Sequence, residues 1–178
     1  MKKVLLLTFL LHFTICSYAQ NTIKFLGIPV DGTKKEMISK LEAKGYEYNS
    51  YVDCLEGEFN GQNVLISIQT VNNRVWRICI IDASNTDETN IKIRFNQLYN
   101  QFLNNGKYHC LQGNRLDEND NISYQMTVNK KRYYATFGFL DSTINGFVWY
   151  MINNEEYGKY SIVIFYENED NAANGDDL

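Results

Sequence analysis

His109 is the one histidine after residue 19, so any Ser-His-Asp or Cys-His mechanism has to run through it. Its neighbour Cys110 cannot face it productively on most backbones. The chain has no Gly-x-Ser-x-Gly elbow, no Gly-rich phosphate loop and no His-Glu-x-x-His. His109 therefore reads as a polar loop residue. Zinc would have to recruit Cys54, Cys79, Cys110 and His109, yet there is no Cys-x-x-Cys pair and adjacent His109-Cys110 is poor ligand spacing. Cys79, on an apolar strand, reads as a small buried hydrophobe. Asp117-Glu118-Asn119-Asp120-Asn121 is rich in oxygen ligands, but no glycine stands at the sixth position and Val128 stands at the twelfth, so the calcium-loop pattern fails and a solvated turn is expected. Glu56 and Glu58 share one face of a strand, where a carboxylate pair more often keeps an edge soluble than cleaves a sugar. These residues give no expectation of a metal or cofactor.

The aromatic residues point elsewhere. Thirteen tyrosines, ten phenylalanines and two tryptophans are present, and many crowd the second half. Strand alternation buries Tyr133, Phe137 and Phe139 on one face and leaves Tyr134 on the other with Arg132 and Thr136. It also separates Phe147 and Trp149 from Tyr150. Tyr, Trp and Arg dominate binding hot spots. Arg132, Tyr134 and Tyr150 are therefore the expected ligand-binding residues.

These side chains need elements to hold them. Thr33-Lys34-Lys35-Glu36 is a capping box, Met37, Ile38 and Leu41 form one apolar face, and Gly45-Tyr46 supplies a Schellman stop, so a helix is expected over about 34–44. Cys54–Phe59, Asn63–Thr70 and Val75–Ile81 read as an antiparallel meander, with Asn60-Gly61 as a type I′ turn. A second helix begins near Thr86-Asp87-Glu88, carries the stripe Ile91, Phe95, Leu98, Phe102, and ends at Asn105-Gly106. Ile122–Val128, Arg132–Leu140, Gly146–Ile152 and Tyr160–Tyr166 read as four further strands. The fold class is α+β, built of two helix-plus-antiparallel-sheet units in the order α-βββ-α-ββββ. A single domain over 20–166 is expected, with halves of about 20–83 and 84–166 and a disordered acidic tail at 167–178.

Gly27-Ile28-Pro29-Val30-Asp31-Gly32, the short capped helix, Lys44-Gly45-Tyr46 and the meander resemble small exported bacterial proteins. The helix-plus-sheet repeat is similar in outline to the β-lactamase-inhibitor-protein fold and to small outer-membrane assembly lipoproteins. A shared fold does not by itself transfer a function.

The start of the chain, MKKVLLLTFLLHFTICSYA, reads as an export signal: Lys2 and Lys3, a short apolar run, then Ser17 and Ala19 at the peptidase positions. Ile15 before Cys16 argues against a lipobox, so the product is expected to be periplasmic or extracellular and without a membrane anchor after cleavage. The net charge is −4, which disfavours nucleic acid and anionic lipid. The three remaining cysteines are expected as free thiols, since Cys54 and Cys79 fall on alternate strands about 9.6 Å apart. Together these readings favour a non-catalytic module that recognises a protein, peptide or glycan in the envelope or outside the cell. The alternative is a carboxylate-dependent hydrolase acting on a sugar or peptide through Glu56, Glu58, Asp117 or Asp120.

Overall fold

The computed structural model describes residues 21–172, which form an α+β domain with a mostly antiparallel sheet. A short ribbon of β1 (Lys24–Phe25) and β2 (Ile28–Pro29) leads to α1 (Lys34–Glu42). A meander follows: β3 (Glu47–Asn49), β4 (Cys54–Phe59), β5 (Gln62–Val71) and β6 (Arg74–Asp82). Next come α2 (Glu88–Asn104), β7 (Tyr108–Gln112) and α3 (Ile122–Thr127). The chain closes with β8 (Tyr134–Phe139), β9 (Gly146–Asn154) and β10 (Tyr160–Asn168). The strands make one eight-stranded sheet ordered β3-β4-β5-β6-β10-β9-β8-β7, in which β6 and β10 pair at the centre.

Local chemistry accounts for the two long helices. Thr33 accepts from the Glu36 amide while Glu36 accepts from the Thr33 amide, and both halves of the capping box are made. At the other end the Tyr46 amide bonds the Leu41 carbonyl and the Gly45 amide bonds that of Glu42. That crossed pair requires the left-handed backbone which Gly45 adopts, at φ +93°. In α2, Asp87 caps the Asn90 amide, and Ile91, Phe95, Leu98 and Phe102 are all buried against the sheet. Asn60 and Gly61 both have positive φ, as a type I′ hairpin requires.

Both helices cover one face of the sheet. Their partners are Leu55, Ile66, Ile80, Ile164, Tyr150 and Phe137, all at most 1% exposed. No helix among the described residues is long and apolar enough to cross a membrane. Among the described residues the other face carries no helix, and the site described below lies on it.

Several expectations are corrected. Ile122–Val128 is not a strand: α3 occupies it, with Ile122 buried and Tyr124 and Val128 exposed. The reason lies outside the segment. Glu88, at the start of α2, accepts hydrogen bonds from the Ile122 and Ser123 amides and from the Ser123 hydroxyl, while Asn121 caps the Tyr124 amide. A carboxylate at the first turn satisfies orphan amides and favours the helix. The stretch after α2 is strand β7 rather than loop, and β3 joins the first meander, so each of the two meanders has four strands. The expected disordered tail is ordered at its start: β10 continues through Glu167 and Asn168, and a 3-10 turn over Glu169–Asn171 packs back through Asn171, whose amide donates to Asp31 and to the Val75 carbonyl. The rest of that tail, and the export signal, lie outside the described residues.

The Glu88 contacts make α3 sensitive to acid. Burial works to raise the Glu88 pKa, but hydrogen bonds from Ser123 and from the Ile122 and Ser123 amides, together with Lys92, bring it below the ordinary 4.5. The folded pKa lies below the unfolded one, so the contribution is complete above pH 4.5 and is lost as pH falls through the lower folded value. Amide protection at Ile122 and Ser123 is expected to drop in that acid window in the native protein. In Glu88→Gln it is expected to be low at every pH, and equal profiles for the two proteins would show that the carboxylate does not hold this turn.

Candidate functional site

Register fixes what the helix-free face presents. Ser67, Cys79, Phe165, Trp149 and Thr136 lie in one row across β5, β6, β10, β9 and β8. A neighbouring row holds Leu65, Ile81, Val163, Met151 and Tyr134, and on the other side Gln69, Arg77, Glu167, Phe147 and Gly138 align. The β8 positions in two of these rows are small, Thr136 and Gly138, whereas β9 raises a ridge of Phe147, Trp149 and Met151. His109 and Leu111 of the edge strand fold over Gly138, since a Cβ there would lie 3.0 Å from His109 Cε1 and 3.2 Å from Leu111 Cδ1. What stays open is a groove of about 500 Å³ over Thr136, bordered by Tyr134, Phe147, Trp149 and Met151, with Arg132 at its mouth and Arg77 and Glu167 at its far side. That volume is within the range of small-ligand sites, about 300–1,000 Å³.

The ridge is held rigidly. Trp149 stacks on Phe165 with ring centres 4.1 Å apart and planes 17° from parallel. Its indole N–H donates to Glu167 Oε1 at 2.8 Å, and Arg77 Nη2 reaches the same oxygen at 2.5 Å. Arg77 in turn lies 3.9 Å from the centre of the Trp76 ring and donates to Gln69. Glu167 is 3% exposed, so a charge taken out of water is compensated by one cation and one indole N–H. Across the groove, the Gln112 amide donates to the Tyr134 hydroxyl at 2.6 Å, which leaves the phenol proton free to donate outward.

The structure brings together two of the three expected binding residues. Arg132 and Tyr134 line the groove. Tyr150 does not: it is 0% exposed under α2, where its hydroxyl donates to the Phe95 carbonyl at 3.0 Å and burial pushes its pKa up. The physical reason is register. Tyr150 pairs with Ala135 and Trp149 with Thr136, so Trp149 and Phe147 take the helix-free side that Tyr150 was expected to occupy. Both faces of β9 are apolar, and alternation alone could not say which side was which. Arg77 and Glu167 were missed as well; for Arg77 the signal available was a lone charge in the middle of an otherwise apolar strand, whereas Glu167 opens an acidic run.

The remaining chemistry-bearing residues are dispersed. His109 sits on the helix-free face, whereas Cys110 turns toward the helices, its sulfur 3.5 Å from the Tyr99 hydroxyl. Cys54, Cys79 and Cys110 are all free thiols, and Cys79 is buried, which raises its pKa. Cys54 and Cys79 lie on β4 and β6 with β5 between them, as the expected meander order places them. Glu56 and Glu58 stand exposed on β4, near one edge of the sheet. Asp117 and Asp120 are in the loop beside α2, where the Asp120 carboxylate accepts the Asp117 amide and Lys92 bonds the Asp120 carbonyl. Among the described residues no group of three or more His, Cys, Asp or Glu is placed to hold a metal ion.

Comparison with protein-family models, with curated proteins and with solved structures gives no match.

Proposed function

We propose that this chain is an exported, non-catalytic binding module whose helix-free sheet face recognises a partner in the envelope or outside the cell. The observation that carries the reading is the groove beside β9: an indole fixed by a buried carboxylate, flanked by Tyr134 and two arginines, on the face that no helix of the described residues covers. Rigid aromatic and arginine side chains bind at low entropic cost because their rotamers are already set. Two helix-led four-stranded meanders meeting at β6 and β10 also support a two-unit design, similar in outline to the β-lactamase-inhibitor-protein fold. Residues 1–19 support the export step.

The test is affinity capture from envelope extract with the mature protein, run in parallel with Tyr134→Ala. The variant is expected to lose more than about 1 kcal/mol of binding while keeping nearly all of its stability, because Tyr134 is only half-buried and borders the open groove. Equal capture by both proteins, or a large loss of stability in the variant, would remove Tyr134 from the binding surface.

A further inference from the structure

We infer that the ligand of this groove is an anionic oligosaccharide, with a sugar ring laid against Trp149 and its acidic group on Arg132. The inference rests on the groove being the binding site and names the ligand class it takes.

Three observations carry it. The first is the free face of the indole. Phe165 covers one side of Trp149, while the residue paired with it on the other side is Thr136, too small to cover the ring. A flat, electron-rich ring face beside an open groove suits the C–H face of a pyranose. The indole N–H is already committed to Glu167, so the ring offers that face and no polar edge.

The second is charge. Glu167 neutralises Arg77, but among the described residues Arg132 has no carboxylate partner. A second hollow of about 450 Å³ shares Arg132 and Tyr134 with the groove and adds Arg115 and Lys131. Neither of these is in an ion pair among the described residues, and the Lys131 ammonium lies 4.5 Å over the Tyr133 ring instead. The hollow also holds Asp120, whose carboxylate accepts the Asp117 amide. Three unpaired cations gathered on a chain of net charge −4 form a patch opposite in sign to the whole. Arg132, Arg115, Lys131 and the Tyr134 hydroxyl supply donors along the two hollows, beside the acceptor Asp120 and the amides of Gln112 and Asn114. The donors match carboxylate or sulfate and sugar oxygens.

The third separates a glycan from an extended peptide. A peptide on a sheet gains most from pairing its backbone with an open strand edge. The groove lies over β8, whose backbone is already paired on both sides by β7 and β9. Thr136, Phe137 and Gly138 under the groove are thus paired on both flanks and offer no open edge, whereas ring stacking and side-chain donors are available.

The experiment is calorimetric titration of the mature protein with three probes, tetragalacturonate, an alginate tetramer and a heparin-derived tetrasaccharide, against neutral maltotetraose. The emission of Trp149 is followed in a Trp76→Phe background, since the chain holds two tryptophans. At least one acidic probe is expected to bind tenfold or more tightly than maltotetraose, to perturb Trp149 emission and to weaken with added salt. Arg132→Gln, at an exposed position, is expected to lose tenfold or more for the acidic probe with unchanged melting. Thr136→Tyr, which fills the space beside the indole, is expected to abolish the emission change. No binding by any acidic probe, equal binding of the neutral one, or full affinity in Arg132→Gln would overturn the inference. The capture comparison with Tyr134→Ala then decides separately whether the groove is a binding site for something else.

Discussion

Phe95→Ala is expected to destabilise the protein by about 3–5 kcal/mol, the usual cost of removing a buried phenylalanine ring. Phe95 is 0% exposed and stands in the middle of the α2 stripe, its ring centre 4.8 Å from that of Tyr150. Phe102 stacks on Phe137 nearby, so the ring belongs to a close-packed aromatic layer between α2 and the sheet. Such a layer relaxes little around a hole, which adds a cavity penalty to the lost transfer energy. Gln97 lies on the exposed side of the same helix, and Gln97→Ala is expected to change stability by less than about 0.5 kcal/mol. Urea melts of the two variants check this, and equal small losses would mean that α2 presents a different face to the sheet.

What was legible in the sequence follows from how local each determinant is. The capping box at Thr33, the stripe of α2 and the Asn60-Gly61 turn are written within a few residues of the structure they specify, and each is found as read. Residues 122–128 are different. Apolar side chains at alternate positions also repeat at four-residue spacing, so the pattern fits a helix as well as a strand, and the choice is made by Glu88, 34 residues away. Strand β7 is five residues long and interrupted by a bulge, and it gains its strand character by pairing with β8.

The site divides in the same way. Arg132 and Tyr134 were readable because the strand they lead has one plainly apolar face, Tyr133, Ala135 and Phe137, which assigns the other side by elimination. Trp149 was not, since β9 is apolar on both sides and its phase depends on register with β8. Glu167 looked like the start of an acidic tail because its two partners, Arg77 and Trp149, lie on two other strands. Tertiary pairing turned a surface-type residue into the one that fixes the ridge.

The same logic governs the second large effect. Arg94 interrupts the buried face of α2, and Asp82 ends β6 at a buried position; they meet at 3.3 Å with side chains only 10% and 7% exposed. Arg94 also donates to the Asn60 carbonyl, so the pair ties α2 to the tip of the β4–β5 hairpin. Asp82→Leu leaves the guanidinium buried beside a carbonyl without its counter-ion, and Arg94→Met leaves the carboxylate buried without its cation; each is expected to cost about 3–5 kcal/mol. The double change Asp82→Leu with Arg94→Met removes both charges and fills the space with apolar atoms. It is therefore expected to cost less than either single change, because what each single loses is mainly the penalty of stranding a charge. Denaturant melts over the full cycle decide the matter. Single losses below about 1 kcal/mol that simply add in the double would mean that water reaches the pair and that α2 is held by its apolar stripe alone.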